Sequence, residues 1–264
     1  MTGLYFDIDD TLYSRKDLLI KAAQSACERK SLGRIDGEEF LRLFYGKSDA
    51  NFALVESGVI TPLQSNIWRF TEAMKDMGIS CPEGTAEDFA DTYTYMQNHI
   101  TLSPTLERMM TQLLPVTDYP QGDNSPLNPS ATLCMGVLTN GSYDHQIKKY
   151  NMLGLERYIP KKYIVISGEV GTSKPGEGIF RAAEKAMGLK PDQIWLIGDS
   201  LKHDIEGARA AGWHTLWFDR SGHGIDLNCA PGTSNQLTSA AEELADLIVT
   251  SEDQMAETLK QLFL

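Results

Sequence analysis

Three aspartates, Asp7, Asp9 and Asp10, follow an apolar run over residues 3–6. The run is typical of a short buried strand, so the acids fall at its C-terminal end. Like charges crowded at a strand end are costly unless a cation or a proton neutralises them. Alternation along an extended segment predicts that Asp7 and Asp9 lie on the same side, whereas Asp10 is interpreted as a turn residue. The segment therefore indicates an acidic site that two carboxylates share.

Polar groups also follow three later apolar runs. They are Thr139 and Asn140 after residues 134–138, Lys174 beyond residues 163–167, and Asp199 and Asp204 after residues 194–197. Taken singly, these residues are typical of a turn, a surface lysine and helix caps. In open α/β sheets, however, ligands bind at the carboxyl ends of strands. The order of the groups along the chain favours one shared site.

The elements that would position this site follow two patterns. Residues 15 to about 100 show helical spacing of apolar residues, with Asp36 as a candidate helix cap. From about residue 101 helices alternate with strands, which implies right-handed crossovers and a parallel sheet. Residues 120–130, rich in Pro, Gly, Asn and Ser, are predicted to form a loop. We predict an α/β fold with a Rossmann-like, three-layer parallel-sheet core over residues 1–14 and 101–264, interrupted by an all-helical insertion over residues 15–100.

These motifs resemble those of the haloacid dehalogenase (HAD) superfamily, most of whose members are phosphatases. The matching segments are Asp-x-Asp-x-Thr at residues 7–11, Thr139, Lys174, and Gly-Asp-x-x-x-x-Asp at residues 198–204. The resemblance covers nearly the whole chain except the insertion and the C-terminal tail. It implies that the insertion is a helical cap domain placed directly after the first motif.

The resemblance also implies a role for each residue. The catalytic residues would be Asp7, the nucleophile that forms an aspartyl-phosphate, Asp9, the general acid and then base, and Lys174. Phosphoryl oxygens would be bound by Thr139, the backbone N–H of Asn140 and Lys174. Mg²⁺ would be held by Asp7, Asp199 and the backbone carbonyl of Asp9. Asp204 would hold metal-bound water or orient the lysine, and Thr11 would support the site.

Asp9 favours hydrolysis of a phosphate ester, because the dehalogenases and phosphonatases of this family depart from the motif at that position. The expected substrate is a small phosphorylated metabolite. Residues 7–13 are similar to those of pyrimidine-type 5′-nucleotidases, which suggests a nucleoside 5′-monophosphate. A phosphoglycolate or sugar-phosphate phosphatase and a phosphomutase are alternatives, and a non-catalytic phosphate- or partner-binding protein is an alternative of another class. Candidate substrate contacts in the insertion are Tyr45, Lys47, Trp68 and Arg69.

The composition of the chain argues against several classes of partner and cofactor. The formal net charge of −12 over 264 residues argues against wrapping a nucleic-acid polymer, which needs clustered Lys and Arg. The four cysteines are scattered and form no Cys-x-x-Cys pair, so neither a zinc site nor a redox motif is indicated. No apolar run approaches the roughly 18 residues of a membrane span. We therefore expect a cytoplasmic protein that does not bind membranes. These features make no prediction about the oligomeric state.

Overall fold

A computed structural model describes residues 1–47, 51, 54–55, 58–117, 131–220 and 244–264. The predicted loop at residues 120–130 and Cys229 lie outside these residues. The described residues form two compact units, a sheet unit that contains residues 1–13 and the described residues from 101 onward, and a helical unit within residues 14–100. Within the described part of the chain, none of the helices combines the length and the apolar character that crossing a bilayer requires.

The helical unit includes four helices that the structure describes throughout. They are α1 (Arg15–Arg29), α2 (Gly37–Gly46), α3 (Pro62–Asp76) and α4 (Thr85–Gln97). The predicted cap of α2 is confirmed, because Asp36 Oδ1 accepts hydrogen bonds from the N–H groups of Glu38 and Glu39. Aromatic rings fill the centre, and the centroids of Phe70 and Phe89 are 4.5 Å apart. Burial of these rings gives the unit its own hydrophobic core.

Among the described residues, six strands form one parallel sheet in the order β3-β2-β1-β4-β5-β6. The strands are β1 (Thr2–Phe6), β2 (Leu133–Thr139), β3 (Ile164–Ile166), β4 (Ile194–Gly198), β5 (His214–Phe218) and β6 (Leu247–Val249). Phe6, the last residue of β1, is in register with Val137 on one side and with Ile197 on the other. The strand order reverses at β1, so the carboxyl ends of β1, β2 and β4 flank the crevice where such sheets bind ligands. The predicted α/β fold with a parallel sheet is confirmed.

The described helices of the sheet unit lie between its strands or follow the last of them. They are α5 (Pro104–Leu113), α6 (Tyr143–Met152), α7 (Ser167–Val170), α8 (Glu177–Met187), α9 (Glu206–Ala210) and α10 (Glu252–Phe263). Every residue of β2 is buried, as expected for a parallel strand covered on both faces. The third strand is shorter than the predicted 163–167. It ends at Ile166 because that residue pairs with Thr139, where β2 itself ends.

Candidate active site

Three carboxylates meet at the carboxyl ends of β1 and β4. Asp7 directly follows β1, Asp199 directly follows β4, and Asp204 lies in the π-helical turn Leu201–Ile205 that comes next. One oxygen from each carboxylate lies within 4.8 Å of the others, and all three residues are buried. The Asp7 N–H donates to the Ile197 carbonyl at 2.9 Å, which continues the sheet register past the end of β1. Two adjacent strands thus bring together acids that are far apart in the sequence.

Lys174 supplies the positive charge of this cluster. Its ammonium lies 2.7 Å from Asp7 Oδ1 and 2.6 Å from Asp204 Oδ1, and it donates to the Leu138 carbonyl at 2.9 Å. The side chain is 2% exposed, so the sequence-based alternative of a surface lysine is wrong. Burial alone would lower the pKa of Lys174, but the carboxylates of Asp204 and Asp7 outweigh it and raise that pKa above its ordinary value. The lysine therefore stays charged at neutral pH.

The negative charge of the cluster is only partly compensated. Burial raises the pKa of Asp7 above its ordinary value; Lys174 opposes this shift, and the carboxylates of Asp204 and Asp9 add to it. Three buried carboxylates face one ammonium, so the cluster has an excess of oxygen ligands and of negative charge. Hard oxygen donors in this arrangement suit a divalent cation.

Asn140 ties the lysine segment to the end of β2. Its side-chain Nδ2 donates to the Lys174 carbonyl at 3.0 Å, and its Oδ1 accepts from the Lys174 N–H at 2.8 Å. A second link joins the same regions, since the Gly141 N–H donates to Ser167 Oγ at 2.9 Å. The backbone that carries Lys174 is thereby aligned with the strand end beside Asp7.

Near the ends of β1 and β2, two buried hydroxyls have no hydrogen-bond partner among the described residues. They are Thr139 Oγ1, at the end of β2, and Thr11 Oγ1, in the turn after β1. A buried polar group without a partner costs about 1–3 kcal/mol and in native proteins usually serves a ligand, a water molecule or a function. Thr139 therefore offers a hydroxyl for a bound oxygen at the predicted phosphate position.

Asp9 has different partners from the other acids. Lys149 Nζ lies 2.7 Å from its Oδ1 and 2.6 Å from its Oδ2. Gln146 Nε2 donates to Oδ2 at 3.2 Å, and the Tyr13 hydroxyl donates to Oδ1. The Asp9 side chain is 20% exposed, whereas Asp204 is nearly inaccessible. Asp9 is thus close enough to influence Asp7 but is held by three donors of its own.

No sequence pattern predicted a role in the site for Tyr13, Gln146 or Lys149. Gln146 is buried on α6, which begins shortly after the motif at residues 139–140. A helix that starts beside a strand end brings the inner face of its first turns to that end. A long polar residue on this face could therefore have been predicted to reach the strand end, but the pattern does not identify Asp9 as its partner.

Arg220 was also missed, and it holds the turn after β1. Its Nε donates to the Asp10 carbonyl at 2.6 Å, and its Nη2 donates to the Thr11 carbonyl at 2.9 Å. Asp10 has a φ of 60°, a left-handed conformation that Asp tolerates better than most residues. Arg220 also pairs with Glu252 at the start of α10, so the turn is tied to the C-terminal helix.

The four candidates in the insertion lie in the helical unit. The Arg69 guanidinium stacks 3.9 Å from the Phe44 ring centroid and donates through Nε and Nη2 to the Phe44 carbonyl. Tyr45 packs edge-on against the same ring. Lys47 pairs with Asp76, and Trp68 is 39% exposed. Arg69, Tyr45 and Lys47 therefore contribute to packing within the helical unit, and their contact with substrate stays a prediction.

Gly198 allows the close approach of Asp204 to β4. A Cβ atom at position 198 would lie 2.4 Å from the carboxyl carbon of Asp204. Asp204 cannot easily retreat, because Ser200 N–H donates to its Oδ2 at 3.0 Å and Lys174 holds its Oδ1. We expect Gly198→Ala to lower the free energy of unfolding by about 1–3 kcal/mol through this overpacking. Denaturant titration measures the effect, and an unchanged midpoint would contradict the tight packing.

A parallel sheet whose central strand ends in buried carboxylates, with a buried lysine between them, defines an α/β protein with an acidic ligand site at the switch point. Residues 171–230, which include Lys174, Asp199 and Asp204, match the family model described as HAD-hydrolase-like. In this segment, in its strand-end motifs and in its parallel sheet, the chain resembles the haloacid dehalogenase (HAD) superfamily of hydrolases.

Two phosphatases and one solved structure are similar to this chain. Phosphoserine phosphatase of Thermus thermophilus is 37% identical over 99 residues, which cover 38% of this chain and only 39% of that protein. N-acylneuraminate-9-phosphatase of Rattus norvegicus is 27% identical over 251 residues, 91% of each chain. The solved HAD-hydrolase YfnB of Bacillus subtilis, bound to magnesium, has a TM-score of 0.58 and 18% identity, and the match covers 98% of both chains. The structural likeness concerns the fold.

Proposed function

We propose that this protein is a Mg²⁺-dependent phosphomonoester hydrolase that works through an aspartyl-phosphate on Asp7. The observation that carries the proposal is the buried group of Asp7, Asp199, Asp204 and Lys174 at adjacent strand ends. Phosphoryl transfer depends mainly on positioning and on charge stabilisation, and this group supplies both. The relatives named as phosphatases support the same class of reaction.

The donor set fits Mg²⁺. Carboxylates of Asp7 and Asp199, with the Asp9 carbonyl, would hold the ion and leave positions for water and substrate oxygens. Both oxygens of Asp204 already have partners, Lys174 at Oδ1 and the Ser200 N–H at Oδ2. Of its two predicted roles, this arrangement favours orienting the lysine. When bound, Mg²⁺ would neutralise charge on the phosphoryl oxygens and between the carboxylates.

The residues of the chain account for both halves of the reaction. In the first half an Asp7 oxygen attacks phosphorus, the ester P–O bond breaks, and Asp9 gives its proton to the leaving oxygen. In the second half water attacks phosphorus, Asp9 takes the proton from that water, and the bond from phosphorus to Asp7 breaks. Lys174, the Thr139 hydroxyl and the Asn140 N–H would bind the phosphoryl oxygens throughout.

The proposed substrate is a small phosphorylated metabolite, with a nucleoside 5′-monophosphate as the first candidate. That candidate rests on the local resemblance over residues 7–13. Tyr13, the last residue of this segment, donates to Asp9, so its hydroxyl serves the site itself. A residue with that role does not distinguish one phosphate ester from another, so the substrate panel must be broader than nucleotides. It should include the phosphates that the names of the relatives indicate, which are phosphoserine, N-acylneuraminate 9-phosphate and glyceraldehyde 3-phosphate, together with sugar phosphates and phosphoglycolate. Transfer to a sugar hydroxyl in place of water would indicate the mutase.

We expect the purified protein to hydrolyse an aryl phosphate with Mg²⁺ and to lose this activity after chelation. Mg²⁺ should also raise its melting temperature, because a ligand at 100 times its Kd stabilises a fold by about 2.7 kcal/mol. Asp199→Asn should lose both effects, since one of the proposed carboxylate ligands is gone.

Asp192→Asn is the matched control, because Asp192 is an exposed aspartate shortly before β4. It should keep both the activity and the thermal shift. Undiminished turnover after exhaustive chelation would contradict the metal-dependent mechanism. Binding of inorganic phosphate without any turnover across the substrate panel would favour the non-catalytic class of protein.

A further inference from the structure

We infer that Lys149 is a positioning residue, which aims the Asp9 carboxylate for the second half of the reaction, the hydrolysis of phosphorylated Asp7. The inference rests on the proposed function and assigns a role to a residue outside the family motifs quoted above. Its ammonium contacts both oxygens of Asp9, at 2.7 and 2.6 Å. Contact with both oxygens restricts the rotation of the carboxylate, which a contact with one oxygen would not do.

Lys149 acts together with a second residue of α6. Gln146 lies three residues earlier, so the two side chains leave the same face of the helix. Gln146 Nε2 donates to Asp9 Oδ2 at 3.2 Å and to the Asn140 carbonyl at 2.9 Å. Gln146 is 4% exposed and cannot move freely. The helix thus connects the Asp9 carboxylate to Asn140, the residue proposed to bind a phosphoryl oxygen.

The donors around Asp9 suit one stage of the reaction. Lys149, Gln146 and the Tyr13 hydroxyl all donate, and an ionised carboxylate accepts from every side. This is the form that must take a proton from the attacking water. In that step the water O–H bond breaks, the new P–O bond forms, and the bond from phosphorus to Asp7 breaks. Asp9 leaves the step protonated and ready for the next leaving oxygen.

Stability is a weaker explanation for this ion pair. The side chains of Lys149 and Asp9 are 21% and 20% exposed, and ion pairs with access to solvent usually contribute about 0–1 kcal/mol. A lysine that served only the fold could be replaced with little effect on either half of the reaction. A lysine that aims Asp9 should instead affect the half that needs a base.

Lys149→Met tests this, with an aryl phosphate whose leaving group needs no proton. The first half should run at nearly the wild-type rate, and the second should slow by up to about 100-fold, because a misplacement of about 1 Å at a reacting group can cost that much. We expect a burst of phenol, a lower kcat and KM, and a larger fraction of phosphorylated protein after acid quenching, measured by intact mass. Lys149→Arg should restore most of the rate. Asp9→Asn should show the same accumulation.

Lys148→Met is the matched control, because it removes a charge from the adjacent, exposed position of α6. It should match the wild type in every measurement. Lys149→Gln provides a second neutral variant if the Met variant does not fold. A wild-type rate, or a lower rate without accumulation of phosphorylated protein, would overturn the role of Lys149 alone. Absence of turnover and of phosphorylation in the wild type would instead overturn the proposed function, and this inference with it.

Discussion

Asp7→Asn should abolish phosphatase activity and the phosphorylated form of the protein together. The amide has nearly the shape of the carboxylate but is not a nucleophile toward phosphorus. Removal of a catalytic nucleophile typically lowers kcat by about 10⁴-fold or more. Intact-mass analysis of acid-quenched samples, followed by peptide mapping, measures the modification. Phosphate on a residue other than Asp7 would contradict the assignment.

The same variant should remain folded. In the wild type the Lys174 ammonium lies 2.7 Å from Asp7 Oδ1, and the amide oxygen of the variant can still accept this hydrogen bond. The substitution also removes one buried negative charge. Without a divalent cation we therefore expect its melting temperature to be no lower than that of the wild type. Circular dichroism with thermal melting separates this result from a loss of activity caused by unfolding.

Lys174→Met should cause the largest loss of stability among these variants. The substitution leaves Asp7 and Asp204 buried without their common counter-charge. Breaking a buried ion pair from one side typically costs about 3–5 kcal/mol, because the remaining charge stays unpaired. Denaturant unfolding without divalent cations measures the loss. Activity should fall as well, since the ammonium is proposed to bind a phosphoryl oxygen.

Charge compensation can be distinguished from lost packing by a second substitution. Lys174→Met combined with Asp204→Asn should be more stable than Lys174→Met alone, because the unpaired carboxylate is removed too. Mg²⁺ should also restore part of the stability of the single variant. Lys185→Met, at an exposed position of α8, is the control and should change little. Equal stability of the single and double variants would show that packing, not charge, dominates.

The strands and the strand-end acids could be predicted because both follow from local patterns. A parallel strand buried on both faces is a short continuous apolar run, and such runs preceded each polar motif. Asp7, Asp199 and Asp204 could be grouped because the carboxyl ends of parallel strands lie at one edge of a sheet.

The partners of Asp9 could not be predicted in the same way. Lys149 is 140 positions away in the sequence, and its contact depends on the rotation of α6 about its axis. A rotation of one residue step, about 100°, would aim Lys148 or Tyr150 at the site instead. The sequence also gave no indication that Arg220 holds the turn at residues 10–11. Such contacts are set by tertiary packing, which has no local periodicity.

Asn140 imposes a constraint on how this chain can evolve. Its side chain must present one donor and one acceptor at once, because it pairs with both the carbonyl and the N–H of Lys174. Asp in its place would lack the donor, Ser would not reach, and Gln would add a methylene to a contact of 2.8 Å. Homologues that keep the backbone conformation at Lys174 should therefore retain Asn at this position even after their substrates have diverged. In an alignment, a homologue that lacks Asn at position 140 should also differ in the residues around Lys174, so that the two regions covary.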